Sequence, residues 1–376
     1  MNRTEFEVII IGGGIAGVSL AYFLSERGVS DVALLEREAQ HAYHSTGRSA
    51  ATLVECDPLP AVQQLIVLGG KFLRSPPAAF AENPLLTRSQ VLLLYRRAPV
   101  ADFEATMTTL LRDGVEFESL SHAAAMAKVS ALELNIGDRA ILLTADGRID
   151  VHELLSSYLR RARQGGADIR LQCEVQGLVV EGSRCRGVMT TGGRLSARWV
   201  VNAAGAWSGE IAKLAGAAPI RLEARRRTIV TFEPPAGLDV KNWPLVISDS
   251  DQIYFSPEST GLLMSPMDQT PTSACDAQPD DETIAAAIER LRMLAPALVP
   301  RTLRRRWAGL RTFSSDSIPV VGEDPHLRGF FWLAGQGGFG IESSPALGAI
   351  AADLLVAGKT QRVEASLLSP ARFALS

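Results

Sequence analysis

The residues best placed to do chemistry stand near the start of the chain. Gly12, Gly14 and Gly17 carry G-x-G-x-x-G spacing, directly after the apolar, β-branched run Val8 to Ile11. In a turn of this kind the first glycine permits the tight bend, the second lets backbone approach a pyrophosphate, and the third lets helix pack on strand. Ile15 and Ala16 lie at the opening of that helix, where unpaired N–H groups and the helix dipole attract an anion. Glu36 closes the next apolar run, Val32 to Leu35, about twenty residues on, where a carboxylate accepts hydrogen bonds from a ribose hydroxyl. Strand, glycines, helix, strand and acid together point to a bound dinucleotide. Arg37 would suit a ribose 2′-phosphate, but the charge of Glu36 repels one. The fingerprint alone does not separate a nicotinamide from a flavin.

These groups need a scaffold. Val8 to Ile11 reads as a strand buried on both faces, Val18 to Glu26 as a helix closed by Gly28, and Val32 to Leu35 as a second parallel strand. A second stretch of the same kind begins at Asp150, an N-cap for a helix over Val151 to Arg163 that Gly165-Gly166 ends. Strand-like runs follow at Leu178 to Glu181 and Arg198 to Val201, with turn signals at Gly182-Ser183 and Gly192-Gly193. A third stretch reads strand, glycine loop and helix from Phe330 to Ala357. Segments 52–149 and 218–305 carry more proline and alternating strands such as Arg227 to Phe232 and Gln252 to Phe255. The expected fold is therefore α/β (α+β overall). A Rossmann-type dinucleotide domain over 1–51, 150–217 and 306–376 interleaves with a mainly antiparallel substrate-binding domain over 52–149 and 218–305.

Composition narrows the partners. With 47% hydrophobic and 21% charged residues in 376, the chain reads as an ordinary globular protein. A net charge of -3 argues against nucleic acid, and the clusters Arg225 to Arg227 and Arg304 to Arg306 are too short to form a basic stripe. Cys56, Cys173, Cys185 and Cys275 are scattered without metal spacing, so free thiols in a reducing compartment are expected and no metal. The most apolar stretch, Ile9 to Leu24, is broken by glycines and reads as strand-turn-helix rather than a membrane span. Cytoplasmic residence is the default expectation.

Further motifs carry a resemblance. They are Leu35 to Gln40, Tyr43 to Ala51, Val201 to Trp207, Trp307 to Arg311, Gly329 to Trp332 and Gln336 to Ile341, in that order after the glycine turn. The chain resembles the D-amino-acid oxidase/glycine oxidase group of flavoproteins over nearly its whole length, and most closely the bacterial FAD-dependent D-arginine dehydrogenases. The resemblance implies FAD, and because no cysteine follows Cys275 to attach it, noncovalent binding is expected. It would place Ser45, Thr46, Arg48, Ser49 and Ala50 along the pyrophosphate and towards the flavin ring. Ala204, Gly205 and Trp207 would lie against the dinucleotide, with Val175 pairing its backbone with adenine. Gly337, Gly338, Gly340 and Ile341 would meet the flavin from the C-terminal side, where helix-opening N–H groups stabilise negative charge. His44, within the flavin loop, takes a structural or flavin-contacting role.

The resemblance also implies a reaction: removal of hydride from the carbon beside an amino group, giving an imine that hydrolyses. A dedicated base is not required, and no histidine stands out as one. Arg227 and Arg311 fall at the carboxylate-binding positions, Tyr254 at a substrate-contacting tyrosine, and Gly338 at the substrate face. Arginine's fork suits a carboxylate, and the alternation of Thr228 to Phe232 would project Arg227 from one sheet face. The chain departs from the D-arginine enzymes at Thr52 to Asp57, and around Gln90-Val91, where the acid that holds a basic side chain is replaced. A further acid of that site corresponds to Asp251. A neutral or apolar side chain is therefore expected, unless Glu55 or Asp57 creates a cationic subsite. The electron acceptor would be oxygen or a quinone. Alternatives are oxidation of a secondary amine or N-alkyl amino acid of the sarcosine or proline type, oxidation of a 2-hydroxy acid, and a flavin-bearing electron-transfer subunit of a hetero-oligomer.

Overall fold

The apolar run near the N-terminus becomes the strand Glu5–Ile11, buried along most of its length. It pairs in parallel with Val32–Leu35 on one side and Gly193–Asn202 on the other. Asp168–Arg170 extends the sheet beyond Val32–Leu35, and Phe330–Ala334 pairs in parallel with the end of Gly193–Asn202. Every residue of Val32–Leu35 and Phe330–Ala334 is buried, as strands covered on both faces require. The computed structural model describes residues 3–259 and 261–373.

The helix after the glycine turn runs Ile15–Ser25, three residues earlier than its periodicity suggests. It is apolar nearly all round because it packs between the helices Val151–Gln164 and Ser344–Ala357, so no polar stripe marks its start. Gly28, at φ +76°, ends it, and the Val29 amide returns to the Leu24 carbonyl. Asp150 caps the next helix, its side chain accepting from the Glu153 amide.

One sequence expectation needs correction. The stretch after this helix is not another β-α-β unit. Val175–Glu181, Arg184–Thr190 and Gly193–Asn202 form an antiparallel meander, and only the last joins the parallel set. The middle strand escapes a hydrophobicity reading because Arg184, Arg186 and Gly187 break its apolar run.

A second eight-stranded sheet has the order Leu303–Ser314, Leu222–Phe232, Gly261–Ser265, Ile253–Glu258, Leu245–Ser248, Val91–Tyr95, Arg139–Leu143, Phe117–Ser121. It is antiparallel except where Leu245–Ser248 meets Val91–Tyr95. The helix Asp281–Leu294 buries Ile284, Ala287, Leu291 and Leu294 against one face of it. The strand Leu303–Ser314 belongs wholly to this sheet and runs across the boundary expected between 305 and 306. Thr52–Leu53, Gly147–Ile149 and Leu86–Arg88 form a small third sheet.

The two large sheets are stitched where the glycine loop meets the long strand. The Gly337 amide donates to the Thr312 carbonyl at 2.8 Å, and Phe313 bridges Gln336. The carboxyl ends of the parallel strands, at Ile11, Leu35 and Ala203, thus open towards Leu222–Phe232 and Leu303–Ser314. That crevice is where an open parallel sheet binds its ligand.

Gly17 tests the scaffold. A Cβ there would collide with the Gly12 carbonyl oxygen. Gly17→Ala is expected to cost about 1–3 kcal/mol in denaturant unfolding and to weaken flavin retention.

Candidate active site

The crevice is one elongated cavity of about 380 Å³. It runs from Cys173, Val175 and Leu214 at one end, past Gly12 and Ser45, to Arg227, Ile229 and Arg311 at the other. Gly12 sits at φ +113°, and any Cβ there would strike the Ala203 carbonyl. Glu36 is already oriented: one carboxylate oxygen accepts from the Gly13 amide at 2.8 Å, the other from the Glu38 amide at 2.9 Å. An ionised carboxylate has about four acceptor positions, so capacity remains for ribose hydroxyls. Gly13 is a requirement the spacing rule did not reveal, because a Cβ on it would lie 2.8 Å from Glu36 Cβ.

The segment after Glu36 is held by its own contacts. Arg37 lies 3.9 Å over the Trp207 ring and bonds Glu38 rather than facing outward for a 2′-phosphate. His44 bonds Glu38 at 2.8 Å and packs 4.6 Å from Trp207, so it closes this wall. Its hydrogen bond is the main reason that the Glu38 carboxyl titrates below the usual carboxylate range. Thr46 accepts from the Ile15 amide at 3.1 Å, fixing the loop over the helix N-terminus. Ser45 donates to the Leu310 carbonyl, while Arg48 pairs with Asp276 and donates to the Ala277 and Ala308 carbonyls. The loop is therefore tied to the second sheet before any ligand arrives.

At the far end two arginines converge. Arg227 and Arg311 project from neighbouring strands on the same sheet face, with Gly309 opposite Arg227. Arg227 is buried and donates through Nε to the Asp268 carbonyl at 3.0 Å. Burial first, and the nearby Arg311 second, pull its guanidinium down to about 10, so it remains a cation at neutral pH. Among the described residues neither guanidinium forms an ion pair with a carboxylate. A Cβ on Gly338 would sit 2.7 Å from Arg311 Nη1, so only glycine leaves that guanidinium its place. Alternation explains the neighbour: Arg226 faces the other way and bonds the Asp268 carboxylate.

The structure brings together most of the residues named from sequence. Gly12, Gly14, Ile15, Ala16, Glu36, Arg37, Ser45, Thr46, Arg48, Ser49, Ala50, Val175, Ala204, Gly205, Trp207, Gly337, Gly338, Gly340 and Ile341 line the cavity. Gly17 stands behind it, packed on Gly12. Of the substrate set, Arg227, Arg311 and Gly338 line it. Thr52, Gln90 and Tyr254 do not. Thr52 pairs with Arg148 in the small sheet, and Gln90 turns at φ +62° to pass its amide to the Asp146 carbonyl. Tyr254 is buried beside Arg227, and its hydroxyl has no hydrogen-bond partner among the described residues. Asp251 is spent on Arg96, Arg97 and Ser248, away from the clamp. Glu55 is no cationic subsite either, because Arg74 grips both its oxygens at 2.9 and 2.7 Å. Gly309, quoted in the sequence reading only within the motif Trp307 to Arg311, lines the cavity, and Glu342, which went unnamed, follows the lining residue Ile341.

A phosphate turn, an oriented ribose acid and a glycine loop on one long cleft fit an extended dinucleotide. The sequence profile described as DAO, FAD dependent oxidoreductase, matches residues 7–354. The chain belongs to the DAO family. Sarcosine oxidase subunit beta of Rhizobium meliloti is 26% identical, covering 97% of this chain and 88% of that protein. Glycine oxidase of Bacillus licheniformis is 27% identical, covering 96% and 97%. The crystal structure of L-proline dehydrogenase from P. horikoshii superposes with a TM-score of 0.86 at 24% identity, covering 100% of this chain and 99% of that one. This DAO-family chain is an FAD-dependent oxidoreductase acting on amino acids or amines, with the mixed α/β architecture of its relatives. Among its described residues no helix is long and apolar enough to cross a membrane, and no cluster could hold a metal.

Glu36→Ala removes a charged acceptor. FAD affinity, titrated by quenching of flavin fluorescence, is expected to fall by about 1.5–3 kcal/mol, roughly ten- to a hundredfold.

Proposed function

We propose that this chain carries out oxidative deamination of a D-amino acid with a neutral or apolar side chain, giving an imine that hydrolyses to a keto acid and ammonia. The observation that carries this reading is the pair Arg227 and Arg311, two cations in one cavity that form no ion pair with a carboxylate among the described residues. Leaving a buried cation unpaired is costly, so a substrate carboxylate is the natural partner, and arginine's fork binds one in two places. FAD, held noncovalently by the cavity residues named above, supplies the hydride acceptor when bound. The chain's own residues anchor the carboxylate and exclude water, which fixes the orientation of the Cα hydrogen. The D configuration follows the resemblance seen in sequence.

The side-chain preference rests on the surroundings of the clamp. Ile229 and Tyr254 belong to a buried apolar cluster, and Val54, Cys56, Ile247, Met267 and Trp307 pack against that cluster partly exposed. Such a wall favours an apolar group. Asp57 is the remaining acid from the sequence reading, and its carboxyl already accepts from the Leu59 amide. Burial, reinforced by Asp249, holds it above the ordinary carboxylate range.

A second reading is oxidation of a secondary amine or N-alkyl amino acid. It is favoured by the relative named as a sarcosine oxidase subunit and leaves the carboxylate clamp unchanged. Anaerobic mixing of the yellow protein with D-, L- and N-methyl amino acids separates the two. Bleaching is expected with D-alanine, D-methionine or D-phenylalanine, and more slowly with D-arginine and D-lysine. A clear preference for the basic pair rejects the side-chain assignment, and bleaching by N-methyl amino acids alone selects the second reading. Admission of air then distinguishes oxygen from a quinone as acceptor.

A further inference from the structure

A second cleft opens behind the clamp, and none of its lining residues borders the flavin cavity. It encloses about 600 Å³, the size of a small-ligand site. Four segments build it. Arg96 and Arg97 follow the strand Val91–Tyr95, the turn 250–252 stands beside them, and Arg290 and Met293 come from the helix Asp281–Leu294. The fourth, segment 266–269, is the wall shared with the clamp. Its Asp268 carbonyl accepts from Arg227 Nε, while the Asp268 carboxylate is taken by Arg226 and Thr228.

The charges in this cleft do not cancel. Arg96 and Arg97 both meet Asp251, and Asp138 stands 3.8 Å from Arg96. Arg226 balances Asp268 in the same way. Arg290 is left over. Its Nη1 donates to the Gln252 and Pro266 carbonyls at 2.8 and 3.1 Å, and among the described residues it pairs with no carboxylate. The adjacent Glu289 is engaged by Arg292. Three arginines against two aspartates therefore leave one positive charge. The acids are hidden as well: the Asp251 and Asp268 side chains are 7% and 6% exposed, against 70% for Arg97. What the cleft shows to solvent is cationic.

Its other wall is apolar, formed by Pro266, Met267 and Met293, the last 71% exposed. Methionine is an adaptable lining for an organic group. The backbone is strained around the same space. Arg97, Gln252 and Met267 all hold left-handed conformations, at φ +55°, +49° and +51°, and such strain collects at ligand sites.

We propose that this cleft is a second binding site, for a small organic monoanion with a carboxylate head and an apolar body. The head takes the Nε and Nη2 edge of Arg290, the side of the fork that its two backbone bonds leave over. Arg97 spends one bond on Asp251 and keeps further donors for the same head. The apolar body lies along Met267 and Met293. The site is independent of what the flavin-side clamp accepts.

Calorimetric titration of the FAD-loaded protein with hexanoate tests this, with the flavin absorption band followed in parallel. Only the clamp is in reach of the flavin, so the band identifies which site fills. Wild type is expected to bind two hexanoates, one perturbing the flavin and one silent, and hexanamide neither. R290M and R97M are expected to lose the silent site and keep the other, whereas R311M keeps the silent one. R97M guards against misfolding, because Arg97 is exposed and Asp251 retains Arg96 and Ser248. Acetate is expected to fill the silent site at least about tenfold more weakly, for want of buried methylenes. No silent site in wild type, or one unchanged in both R290M and R97M, overturns the proposal. Equal binding of acetate and hexanoate overturns the apolar half of it. Loss of the flavin-linked site alone would count against the clamp and not against this cleft.

Discussion

Two positive charges kept together without an anion set the terms for this protein. Arg227 and Arg311 repel each other across a cavity, and burial deepens that cost for Arg227. The fold tolerates the arrangement because the two strands that carry them pair along Leu222–Phe232 and Leu303–Ser314, holding both side chains to one face. Backbone carbonyl and aromatic neighbours, Asp268 and Tyr254, absorb part of the field around Arg227. A carboxylate at ion-pairing distance would have offset the penalty, and among the described residues none stands there. Strain of this kind belongs at functional sites.

The rest of the architecture brings the dinucleotide cleft to that pair. The parallel sheet supplies the phosphate turn and Glu36, while the antiparallel sheet supplies the clamp. The glycine loop 335–340 joins them: the Gly337 amide reaches Thr312, and Gly338 leaves room for Arg311. The same loop runs into Ile341 and Glu342, so cofactor wall, carboxylate clamp and buried acid share one short segment. A shift of that segment would disturb all three.

Legibility in the sequence followed the range of the forces. Val32–Leu35, the Asp150 cap and the Gly28 stop are set by neighbours a few residues away, and each was readable. The first helix began early because burial on all sides erased its periodicity, and Arg184–Thr190 was missed because its charges mask a half-buried strand. Most of the cavity residues were named, since glycine spacing and family motifs mark them. Thr52, Gln90 and Asp251 were misplaced for another reason. Their surroundings come from distant segments, and Asp251 in particular is claimed by Arg96 and Arg97, which nothing local announces. Glu342 was invisible for the same cause: only the fold reveals that Gly-Ile-Glu-Ser-Ser buries its acid.

The account turns on a carboxylate meeting two arginines beside a flavin. Its most direct test is a titration of the FAD-loaded protein with an aliphatic carboxylate and with the matching carboxamide, followed through the flavin absorption band. The account predicts a saturable perturbation by the carboxylate alone, weakened at least tenfold in Arg311→Met, a loss of about 1.4 kcal/mol. Equal responses to acid and amide, or an unaltered response in Arg311→Met, would contradict it.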